Sequence, residues 1–67
     1  MTDDELIAIA RAKVAELRPA SLPDAAVEVR GAEAEVLLSD PQYARGGGFL
    51  VVIDTVTGAV LRVVPQL

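Results

Sequence analysis

The chain predicts a small α+β domain, with one N-terminal helix packed on an antiparallel sheet of three to four strands in the order α-β-β-β-β. Three observations carry this. Leu6, Ile7, Ala10, Val14 and Leu17 recur at i, i+3/i+4 spacing, with Ile9 at the edge of the stripe. AVEVR (26–30) and EAEVLL (33–38) alternate apolar and charged residues, the period of a half-buried strand. FLVVI (49–53) and AVLRVV (59–64) are apolar, largely β-branched runs separated by DTVTG.

Residues 2–18 form the helix. Thr2 and Glu5 have capping-box spacing, in which each satisfies the other's backbone amide. Asp3, Asp4 and Glu5 suit the positive end of the helix dipole, and Arg18 suits the negative end. Pro19 cannot continue the helix. PASLPD (19–24) is a connector.

Val27 and Val29 face one side of the first strand, Glu28 and Arg30 the other. Gly31 and Ala32 can turn the chain. Ala34, Val36 and Leu38 then point inward, Glu33 and Glu35 outward. A helix over 24–38 is the alternative, because Ala and Glu favour helix. Strict alternation and Gly31 favour the hairpin.

SDPQYARGGG (39–48) is a loop whose three successive glycines leave the backbone loose. In the next strand Phe49, Val51 and Ile53 point one way, Leu50 and Val52 the other. Gly58 supplies the left-handed conformation that the following turn needs. Pro65 ends the last strand. A strand apolar on both sides is unusual where one sheet face is wet. Either another copy or a partner buries the second face, or the sheet curls on itself.

At 67 residues the chain makes a single domain, 1–67. A chain this short buries only roughly 60% of its unfolded surface. With no Cys and no His it lacks disulfides, thiolate ligands, the commonest zinc ligand and the usual general base. The balance of ten acidic to six basic residues disfavours nucleic acid as a partner. The start, MTDDELIAIA, is acidic where a secretion signal is basic, and no apolar run nears the roughly 20 residues of a membrane span. A cytoplasmic protein with no membrane partner is expected.

The closing segment resembles that of small bacterial immunity proteins with a nuclear-transport-factor-2-like, cystatin-like fold. The residues that carry the resemblance are Gly47, Gly48, Phe49, Ile53, Asp54, Thr57, Gly58, Val60 and Leu61. The helix with Ile7, Ala8, Ala10 and Val14 is similar to that family's opening helix. PepSY and cystatin-like domains use a similar D-x-x-T-G-x-V hairpin. A Trp usual in the family's preceding strand is missing from EAEVLLSD. The resemblance implies a non-catalytic protein that neutralises a partner toxin by occluding it.

Candidate chemistry is sparse. The glycines at 46–48 precede a strand and have no nearby Lys, unlike a phosphate-binding loop. Asp3, Asp4 and Glu5 read as a helix cap rather than a cation site. Glu28, Glu33 and Glu35 read as a solvated strand face that discourages edge-to-edge aggregation. Ser21, Ser39 and Tyr43 lack an activating base, and Lys13 is placed to pair with Glu16. No catalytic, cofactor or metal residue is assigned, and no enzyme activity is expected.

Asp40, Tyr43, Arg45 and Phe49 are the candidate partner-binding residues, because Tyr and Arg are enriched at interfaces. Tyr43 folded over the sheet edge is the competing reading. Leu50 and Val52 are the candidate self-association residues for a homodimer through the sheet face. A peptidase-inhibitor or propeptide-like role is a third possibility, by fold analogy alone.

Overall fold

The computed structural model describes residues 1–17, 22–40 and 48–66. The elements are α1 (Asp3–Leu17), β1 (Asp24–Arg30), β2 (Glu33–Ser39), β3 (Phe49–Asp54) and β4 (Val60–Pro65). The strands form one antiparallel meander in the order β1-β2-β3-β4, and α1 packs on one face of it. Residues 24–38 are the hairpin, not the alternative helix.

The cap forms as the spacing predicts. The Glu5 amide donates to Thr2 Oγ1 at 3.2 Å, and the Thr2 amide donates to Glu5 Oε1 at 3.2 Å. Leu6, Ala10 and Val14 are the buried stripe of α1. They meet Ala34, Val36 and Leu38 of β2 and Val51 and Ile53 of β3. Leu17, expected on the same stripe, is 57% exposed. Leu22 from the connector is part of the core. Arg18 lies outside the described residues. Arg11 reaches back from the helix to donate to the carbonyls of Leu22 and Pro23, which fixes the start of β1.

The β1–β2 connection is the two-residue turn Gly31–Ala32, flanked by the paired Arg30 and Glu33. Gly31 has φ +62° and Ala32 has negative φ, the II′ pattern that suits a twisted hairpin. The β3–β4 turn is held by Asp54. Its Oδ1 accepts from the amides of Val56 (2.8 Å) and Thr57 (3.2 Å), and its backbone carbonyl accepts from Gly58 N at 2.8 Å. Gly58 sits at φ +77°, as the turn requires. Thr55 then ties the two hairpin turns together. Its amide and its hydroxyl both donate to the Ala32 carbonyl, at 2.9 and 3.1 Å.

Gly48 is buried where β3 begins. A Cβ there would collide with the carbonyl oxygen of Leu38. This glycine permits close backbone approach, and its own carbonyl accepts from Gln66 N at 2.8 Å.

Candidate functional site

Strand alternation sorts the sheet into two faces. The helix side holds the core. On the opposite face the described residues contribute no covering element. The pairing register aligns side chains on that outer face into rows across the strands. Ala26 opposes Leu37, Leu37 opposes Leu50, and Leu50 opposes Val64. This is an apolar row spanning all four strands. The next row is Glu28, Glu35, Val52 and Arg62, and beyond it lie Arg30, Glu33 and Asp54.

Leu37 is 37% and Val64 40% exposed, so the apolar row is open to solvent at two of its strands. Leu50 is half-buried between them. Val52 is only 1% exposed, although no helix covers it. Its cross-strand neighbours are Glu35 and Arg62, long side chains whose aliphatic stems can lie over a valine at this position. Leu61 is the extra residue at a β-bulge, where the register shifts between Val52 and Ile53. It lies outside the core cluster and is exposed.

Among the described residues the ion pairs on this face fall into a cluster around Arg30 and a separate Arg62–Glu33 pair. Arg30 Nη2 lies 3.0 Å from Glu28 Oε1, Arg30 Nε lies 3.8 Å from Glu35 Oε1, and Arg62 Nη2 lies 3.6 Å from Glu33 Oε1. The hydrogen bonds that Arg30 donates to the Glu28 carboxylate, reinforced by the charges of Glu28 and Glu35, hold the Arg30 pKa above its ordinary value. Five carboxylates (Asp24, Glu28, Glu33, Glu35 and Asp54) thus share the face with two guanidiniums, Arg30 and Arg62, and the face is net acidic. An open trough of about 400 Å³ runs over it, lined by Ala26, Val27, Glu28, Glu35, Leu37 and Leu50. An apolar floor beside carboxylates can take apolar side chains and the stem and cationic head of a Lys or Arg.

Of the residues singled out from sequence, the described ones occupy different places. Asp40 is half-buried just past β2. Phe49 points to the helix side, half-buried and packed against the core. Tyr43 and Arg45 lie outside the described residues, as do Ser21, Gly46 and Gly47. Leu50 and Val52 share the outer face, but Val52 is already covered within the single chain. Leu37, Leu61 and Val64 are exposed apolar strand residues that sequence reasoning did not single out as surface. For Leu37 the signal was present, since it occupies an outward position between the inward Val36 and Leu38. Among the described residues no group of three or more His, Cys, Asp and Glu side chains could hold a metal ion. No described helix is long and apolar enough to cross a membrane. Lys13 and Glu16 pair across 3.9 Å on the helix surface.

No family model, curated protein or solved structure matches the chain. The helix followed by a four-stranded antiparallel sheet, implied by the immunity-protein resemblance, is present, and no family is identified beyond it.

Proposed function

We propose that the chain is a non-catalytic protein-binding domain that docks a partner on the outer face of its sheet. The observation that carries this reading is the apolar row Ala26–Leu37–Leu50–Val64, open to solvent and bordered by carboxylates. The partner would set apolar side chains on that row and basic side chains beside Glu28 and Glu35. Charge complementarity of this kind speeds encounter and fixes register. The likeness of the closing hairpin to immunity proteins supports a toxin as that partner, with the acidic face suited to a basic one such as a nuclease.

A homodimer through the same face is less well supported. It would bring two net-acidic faces together. Val52, one of the two residues expected to drive it, has almost no surface left to bury.

Affinity capture from the native cell lysate tests the reading, with the unmodified protein and Leu37→Asp as parallel baits. A stoichiometric basic partner held by the first bait and lost by the second is the expected result. A partner held equally by both would refute the outer face as the docking surface.

A further inference from the structure

The sheet has two edges, and they are built differently. The β4 edge carries the bulge at Leu61 and ends in Pro65, which has no amide to donate. Both features block strand addition. The β1 edge carries neither. Its seven residues, DAAVEVR, pair with β2 in unbroken register and contain no Pro, Gly or Lys. Apart from the half-buried Val27, every one of them is exposed, Val29 to 56%.

The backbone groups on that edge can be assigned. A two-residue hairpin loop closes on a hydrogen-bonded flanking pair, here Arg30 and Glu33. Alternation then turns the backbone groups of Arg30, Glu28, Ala26 and Asp24 towards β2. Those of Ala25, Val27 and Val29 face the open edge. These three residues also carry the apolar side chains of the helix side.

We propose that β1 pairs antiparallel with β1 of a second copy, about a two-fold axis through Val27, joining two meanders into one eight-stranded sheet. The strand is self-complementary in that register. Val27 opposes the second copy's Val27, and Ala25 opposes its Val29. Asp24 opposes its Arg30, twice by symmetry, at the non-hydrogen-bonded positions where side chains come closest. Among the described residues Asp24 has no salt-bridge partner in the single chain, whereas Arg30 has two. Glu28, which by its charge would guard this edge, falls opposite Ala26 and not opposite another carboxylate. The pairing puts both helices on one side of the joined sheet and both outer faces on the other. It leaves the outer apolar rows open, so it stands whether or not they bind a partner.

Sedimentation equilibrium over a range of concentrations, with Asp24→Arg and Arg30→Asp variants, tests the pairing. Each variant alone sets like charges opposite each other, and its dimer dissociation constant should rise by about tenfold or more. An equimolar mixture of the two restores opposite charges at both ends and should recover dimers. Amide hydrogen exchange on the unmodified protein gives a reading independent of any variant's folding. Ala25, Val27 and Val29 should gain protection as concentration rises. A monomer at high micromolar concentration would overturn the proposal. So would a dimer indifferent to both substitutions, or one broken by Leu37→Asp instead.

Discussion

Gly48 shows how a single residue can be fixed by its neighbour's backbone. Its φ is not in the left-handed region, so conformational freedom is not what it supplies. The collision of a Cβ with Leu38 O would force β2 and β3 apart at the start of their pairing. Gly48→Ala should therefore destabilise the fold by about 2 kcal/mol, in the range for overpacked sites. Urea unfolding measures this. Asp54 is the second such residue, because two amides converge on its carboxylate. Asp54→Ala should cost about 1–2 kcal/mol by the same assay, since both amides lose a charged acceptor. The cap at Thr2 predicts a pH dependence. The hydrogen bond from the Thr2 amide, followed by that from its hydroxyl, lowers the Glu5 carboxyl below its ordinary 4.5. A lowered carboxyl contributes stability above its unfolded value and loses it as pH falls through the folded one. Helix content followed by circular dichroism should thus fall on acidification below about pH 4.5 in the unmodified protein, and less so in Glu5→Gln. The cap was legible because Thr-x-x-Glu is a local pattern. The need for glycine at 48 was legible only as looseness, since the obstructing atom belongs to a residue ten positions earlier.

At the scale of elements, β2 makes the argument for alternation in its most testable form. Val36 and Leu37 are consecutive, yet Val36 is fully buried against α1 and Leu37 lies on the open face. Leu37→Asp should change stability by less than about 1 kcal/mol, as surface substitutions do. Val36→Asp, which buries a charge without a partner, should leave the chain unfolded. Thermal melts of the two variants check the contrast. In β1 only Val27 is even half-buried and Val29 is exposed, whereas the inward set of β2 follows from period-two reading alone, and so does the order of elements. Three features do not. The bulge in β4 depends on the pairing of strands, which no local pattern encodes. Val52 looks like an exposed valine until Glu35 and Arg62 are seen to lie opposite it. Leu17 fits the helical stripe yet is exposed, while Leu22, from a separate segment, is in the core.

At the scale of the molecule, the described residues are asymmetric: α1 covers one face of a four-stranded sheet, and the other face keeps an apolar row beside rows of charged residues. For a domain of this size, a partner's contact area is comparable in weight to its own core, at roughly 25 cal/mol per Å² of apolar surface buried. The two proposals use different parts of this layout. The outer face would dock a basic partner, and the β1 edge would join two copies without covering that face. Sequence alone pointed to the loop at 40–49 and to Leu50 and Val52. The described residues bring forward Leu37 and Val64 beside Leu50, because only strand register reveals which side chains share a row.

Methyl-resolved NMR during titration with the captured partner separates docking on the outer face from docking on the helix side. The methyl signals of Leu37, Leu50 and Val64 should shift or broaden on binding, while those of Leu6, Val14 and Val36 stay in place. Perturbation confined to the helix-side methyls, with the outer-face signals unchanged, would contradict docking on the outer face.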